Sequence, residues 1–127
     1  MALTALNQAP QPYPTMVGNI VKTAFTFATV SSTAVTPTIP AGIYRFSVYA
    51  VVTTAQGSDT LTVNAIWTDD FQANTIAVLS AVSTASQGYF QGSTLMELTA
   101  SSTVNYSVAT TATTAVGNIY IVVERIF

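Results

Sequence analysis

The sequence predicts an all-β domain, an antiparallel two-sheet jelly-roll sandwich with an extended N-terminal arm. Three observations predict it. Apolar and polar residues alternate with a period of two in stretch after stretch, turn-forming residues interrupt the chain at short intervals, and no helical period persists anywhere. At 127 residues the chain has the usual length of one domain, so a single core is expected. Half of the residues are hydrophobic and only 6% are charged, which is ample for a core but poor for a free-standing monomer's surface. Much of that surface is expected to be covered.

Residues 1–19 form a zone of their own, marked by Pro10, Pro12, Tyr13 and Pro14. Prolines at alternate positions cannot supply a ladder of backbone donors and favour an extended, polyproline-like path. The segment is expected to lie as an arm on another surface, with a frayed terminus as the alternative. The sandwich domain then spans residues 20–127. A first strand starts at Ile20, where Ile20, Lys22, Ala24 and Thr26 alternate with Val21, Thr23 and Phe25. After Pro37 and Pro40, the run from Gly42 to Thr54 carries β-branched or aromatic side chains on both faces, as a strand covered on both sides does. One of the covers is expected to be another subunit.

The turn at 55–59 leads into Thr60–Trp67, with Leu61, Val63, Ala65 and Trp67 on one face, and the two strands read as a hairpin. Asp69-Asp70 marks a turn before a strand at 74–82, and Ser86-Gln87-Gly88 a loop before a strand at 89–98. Gly92 inside that strand signals a bulge or a close backbone approach. Val104, Tyr106 and Val108 belong to a further strand, while Gly57 and Gly117-Asn118 read as turns with positive φ. The closing run from Ile119 to Phe127 is core-like to its last residue and is expected to leave no room for a C-terminal tail.

A net charge of −2, from three basic and five acidic residues, removes the electrostatic footprint that a phosphate backbone requires, so nucleic acid is excluded as a partner. The absence of cysteine excludes a disulfide framework, a thiolate metal site and a thiol nucleophile. The N-terminus lacks the pattern of a signal peptide, and every apolar run is broken well short of the roughly 18 residues of a membrane helix, so no membrane partner is expected. Without histidine a serine–histidine triad is impossible, and Asp59, Asp69, Asp70, Glu97 and Glu124 show no paired-carboxylate spacing. No catalytic residue, cofactor or metal ligand is expected, and the protein reads as non-enzymatic. Asp69-Asp70 could offer oxygens to a calcium ion, but neighbouring side chains on an extended chain point apart and aspartates favour turns.

Arg45, inside an apolar strand, has two readings: a buried guanidinium paired with Glu97 or Glu124, or a solvent-facing residue on the outer side of a sheet. Tyr44, Phe46, Tyr49, Trp67, Tyr106, Tyr120 and Phe127 are expected in the core or at a subunit interface. Tyr44, Phe46, Tyr49, Trp67, Tyr89, Phe90 and Tyr106 could instead line a carbohydrate-binding groove.

Three stretches occur in an order that resembles the complement-globular-head and tumour-necrosis-factor-like family: Pro40 to Ala50, Gln91 to Leu98, and Ile119 to Glu124. The resemblance covers residues 38–127, with Ala100-Ser101-Ser102 in place of the family's Gly-Asp turn, and implies a compact homotrimer with both chain ends near its base. The charge-poor, Thr/Ser/Ala/Val-rich, cysteine-free style is also similar to capsid decoration proteins and fibre tips of tailed bacteriophages. That likeness implies a virion protein on the outer capsid surface, with the major capsid protein as partner and residues 1–19 as the attachment element. Its alternative is a fibre or spike tip that binds a host-surface glycan through loops at 56–58, 69–70 or 87–88.

Overall fold

The computed structural model describes residues 14–57, 59–111 and 114–127. Among them are eight strands: β1 (Thr15–Thr26), β2 (Val30–Ala34), β3 (Gly42–Thr54), β4 (Thr60–Thr68), β5 (Ala73–Ser83), β6 (Gly88–Leu98), β7 (Asn105–Thr110) and β8 (Val116–Arg125). They form two four-stranded antiparallel sheets, one in the order β1-β8-β3-β6 and the other in the order β2-β7-β4-β5. Successive strands pass from one sheet to the other except between β4 and β5, and this winding is the jelly-roll sandwich that the sequence predicts.

The core fills the space between the sheets. Period-two alternation sends Tyr44, Phe46, Val48, Ala50 and Val52 of β3 inward, beside Ile119, Ile121 and Val123 of β8 and Met96 and Leu98 of β6. Leu61, Val63, Ala65 and Trp67 of β4 meet them from the second sheet, with Tyr106 and Val108 of β7 and Leu79 of β5. Connecting segments close the ends: Phe27, Val35, Ile39, Val104 and Ala115 are all buried. Their backbones stay paired, Phe27 donating to the Ala115 carbonyl at 2.9 Å and Val35 to that of Val104 at 2.8 Å. Tyr44 buries its ring and its hydroxyl donates to the Pro40 carbonyl at 2.7 Å.

Several elements differ from the sequence reading. The first strand begins at Thr15, because backbone donors resume once the proline run ends at Pro14, so residues 15–19 join the sheet opposite β8. Pro14 is exposed just ahead of that strand, while Pro10, Pro12 and Tyr13 lie outside the described residues. Bulges between Met16 and Gly18 and between Lys22 and Phe25 explain the imperfect alternation of β1. The polar strand β2 has no counterpart in the sequence reading, since Ser31, Ser32 and Thr33 are exposed on a short edge and bear no apolar signal. The expected hairpin of β3 and β4 does not form; the five-residue connection crosses between the sheets.

Gly57 has a positive φ of 49°, as a turn glycine should. Gly117 does not: it sits inside β8, where a Cβ would meet the Val51 carbonyl oxygen and the Phe27 ring. Close approach, not a turn, is what demands glycine there. Gly92 is likewise a close approach, its inner side lying against the Val78 carbonyl, while β6 runs beside β3 without a bulge. Phe127 is not core: its backbone amide donates to the Ile43 carbonyl at 3.1 Å, but the side chain is 73% exposed.

Candidate interaction surface

The two outer faces of the sandwich differ in chemistry. On the β2-β7-β4-β5 sheet the outward positions include Thr62, Asn64, Thr68, Asn105 and Ser107, and several of them bond across strands: the Asn64 amide donates to Ser107 Oγ at 3.1 Å and the Asn105 amide to Ser32 Oγ at 3.0 Å. That face is suited to water. On the β1-β8-β3-β6 sheet, residues opposite to the buried set face out, and they bring Met16, Val21, Tyr49, Tyr89 and Leu95 to one surface. Half-buried Ile43, Val51, Tyr120 and Val122 lie between them.

The arrangement follows from register. Tyr49 stands opposite Tyr120 on β8, and Tyr120 opposite Val21 on β1, so the three side chains form one row across the sheet. Tyr89 of β6 stacks on Tyr49 with ring centroids 5.6 Å apart and an interplanar angle of 20°, and Tyr120 tilts toward Tyr49 at 6.4 Å and 44°. Beside this cluster lies a depression of about 480 Å³ lined by Ser47, Tyr49, Gln91, Ser93, Tyr120 and Val122. Its lining offers aromatic planes, hydroxyls and one amide, and contains no carboxylate, imidazole or thiol. Such a set binds by stacking and hydrogen bonding.

Charge on this face is sparse: one ion pair, and Glu97 on β6. Arg45 faces outward, and its Nη2 donates to Glu124 Oε1 at 2.9 Å across β3 and β8, with the two side chains 40% and 26% exposed. An exposed pair of this kind stabilises by less than about 1 kcal/mol. Of the two readings for Arg45 the structure has the outer-face position, with Glu124 as partner and Glu97 on β6 opposite Ile43 instead.

The remaining candidates fall elsewhere. Tyr44, Phe46, Trp67 and Tyr106 are buried in the core, whereas Tyr49 and Tyr120 belong to the outer face. Phe127 lines a second depression, about 530 Å³, with Ile43, Asp70 and Glu97. Asp69 closes its turn: Oδ1 accepts from the amides of Phe71 at 2.7 Å and Gln72 at 2.8 Å, and Oδ2 from the Asn74 amide at 3.0 Å. These bonds hold its carboxyl below the ordinary carboxylate range, the backbone amide of Gln72 contributing most. Among the described residues no three His, Cys, Asp or Glu side chains cluster as a metal site. Sequence reasoning missed Val21, Leu95 and Met16 as surface residues; the parity of β3, continued through strand register, is the signal that finds them.

No family model matches the sequence, and no curated protein matches it. Among solved structures, the infectious bursal disease virus VP2 subviral particle is similar with a TM-score of 0.48 and 12% identity, over 88% of this chain and 36% of that one. The CBM22-1 xylan-binding domain from Paenibacillus barcinonensis Xyn10C gives 0.42 and 13%, over 70% of this chain and 58% of that one. The carbohydrate-binding module CBM6cm-2 from Cellvibrio mixtus lichenase 5A gives 0.43 and 15%, over 89% and 91%. Likeness at this level goes no further than layered β-strands.

Proposed function

We propose that the protein is a non-enzymatic virion structural protein, a homotrimer that decorates the outer surface of a bacteriophage capsid and stabilises the shell. The observation that supports this reading is the apolar outer face of the β1-β8-β3-β6 sheet. Of the eight large hydrophobic side chains exposed among the described residues, five lie on it, and its central ion pair is already neutralised within the chain. Monomeric proteins rarely expose contiguous apolar patches beyond roughly 300–600 Å². The whole face, apolar and polar positions together, spans four strands about 4.8 Å apart and about ten residues long, roughly 600 Å² in projection, and side-chain relief brings that toward the ~800 Å² per partner of a standard interface. The face is the subunit contact, the Thr/Asn/Ser face is turned to solvent, and the proline-rich segment ahead of β1 reaches the major capsid protein. Three such attachments on one trimer reinforce one another through avidity.

The test is co-sedimentation with intact phage capsids, using the full chain and a chain lacking residues 1–13, with the solution mass of each. Trimer mass or a multiple of it for both, with shell binding only by the full chain, is the expected result. A monomer mass, or shell binding that survives the truncation, overturns the trimer or the arm respectively.

A second reading is favoured by the Tyr49, Tyr89 and Tyr120 cluster beside Ser47, Gln91 and Ser93: a spike-tip domain that binds a host-surface glycan, with a sugar ring stacked on tyrosine and its hydroxyls bonded to the amide and serines. Binding of host glycans by the wild type, lost in Tyr49→Ala, together with a monomer mass and no shell binding, would move the assignment to this reading.

A further inference from the structure

Each sheet ends in two edge strands, and three of the four edges carry features that discourage pairing with another chain. β1 has two bulges, β2 is five residues long with a register shift, and β5 shifts register twice near Ala81, whose φ is 47°. β6 differs. All 11 of its residues pair with β3 in unbroken register, and it contains no proline, no lysine and a single charge, Glu97. Among the described residues no strand pairs with its outer side. β5 approaches β6 from within, at the inner side of Gly92 opposite buried Val48, and so does not occupy the edge.

The side chains along β6 are self-complementary. Tyr89 and Leu95, each 63% exposed on the outer face, lie three residues to either side of Gly92; Gln91 and Ser93 lie one residue to either side. If a second β6 runs antiparallel with Gly92 against Gly92, each Tyr89 stands opposite a Leu95, each Gln91 opposite a Ser93, and Glu97 opposite Gln87 instead of another acid. Aromatic–aliphatic and polar–polar opposition is the favourable pattern across antiparallel strands, and like charges are kept apart. We propose that β6 is a self-pairing edge that joins two copies of this chain antiparallel in the register centred on Gly92, which turns two four-stranded sheets into one continuous eight-stranded sheet.

The contact is two-fold, with the same strand on both sides. It goes beyond the trimer described above, since a two-fold contact links one trimer to the next, and it depends on neither the capsid nor the proline-rich segment. The cysteine-free sequence gives a clean test. Tyr89→Cys and Leu95→Cys chains are co-expressed and mildly oxidised, and disulfide-linked pairs are compared with those from each variant alone. In the proposed register the thiol introduced by Tyr89→Cys in one chain faces the thiol introduced by Leu95→Cys in the other. Two copies of the same variant instead place their thiols about 20 Å apart, beyond disulfide reach. The expected result is at least a tenfold excess of linked pairs in the mixture. Gln91→Cys with Ser93→Cys, at the positions flanking Gly92, serves as a second pair should the first fold poorly. Yields in both mixtures no higher than in the single variants would overturn the proposal. Capsid binding does not enter the readout, so failure here is separable from failure of the decoration reading.

Discussion

Gly117 shows how one residue's size is set by its neighbours' backbone. A methyl group there would press on the Val51 carbonyl and the Phe27 ring, which is itself buried against the core. Gly117→Ala is expected to destabilise by about 2–3 kcal/mol in urea unfolding, as overpacking does, whereas Gly88→Ala, with nothing within 4 Å of its would-be Cβ, should stay within about 0.5 kcal/mol. Asp69 makes a different prediction. Its folded-state pKa lies below the ordinary value of 3.8, so the unfolded chain takes up the proton first as pH falls. The stabilisation is complete above that value and is lost as pH drops through the lowered one. In Asp69→Asn this acid-side loss should be smaller than in the wild type, measured as unfolding midpoints between pH 5 and 2; an unchanged slope would mean the turn does not carry it.

At the scale of the element, β3 is readable to the residue because its alternating β-branched and aromatic side chains have no other use. Strand β2 is not, since exposed Ser31, Ser32 and Thr33 look like loop. Loop length alone does not separate a hairpin from a sheet-to-sheet crossing, so the β3–β4 connection reads as a hairpin although, among the described strands, only β4 and β5 form one. The turn reading of Gly117 fails because the residues it must avoid, Phe27 and Val51, are distant in sequence. The candidate surface is half legible: apolar residues at both parities of β3 announce a second covered face, but the meeting of Tyr49 with Tyr89 depends on the β3–β6 register. A charge on that face should dissolve the assembly without unfolding the subunit. Val21→Lys and Leu95→Lys are expected to lose the trimer mass by light scattering with thermal midpoints within a few degrees of the wild type; a retained trimer would place the face contact elsewhere.

For the whole molecule, the sandwich separates two tasks between its faces. One sheet's outer surface is tied down by its own Asn–Ser bonds, while the other leaves tyrosines, valine, methionine and leucine open to a partner. The low charge that the composition displays thus has uneven consequences under the proposed assembly: it would matter on the tyrosine-bearing face, where each additional ion would need a partner on desolvation, and little on the hydroxyl-rich one.

The winding of the strands also governs how the chain reaches this state. Among the described strands β1 pairs only with β8, close to one hundred residues away, and β4 with β5 is the one pair that neighbouring residues can zip together. Loops must therefore close before most pairings reward them, and refolding is expected on a scale of milliseconds to seconds, with the β4–β5 hairpin protected earliest in pulsed hydrogen exchange. Until β8 arrives, β1 is left holding Val21 and Phe25 beside an unfilled groove. During synthesis that interval is when a neighbouring chain's β8 could take the place, so a low concentration of nascent chains should favour the native fold over strand-exchanged aggregates.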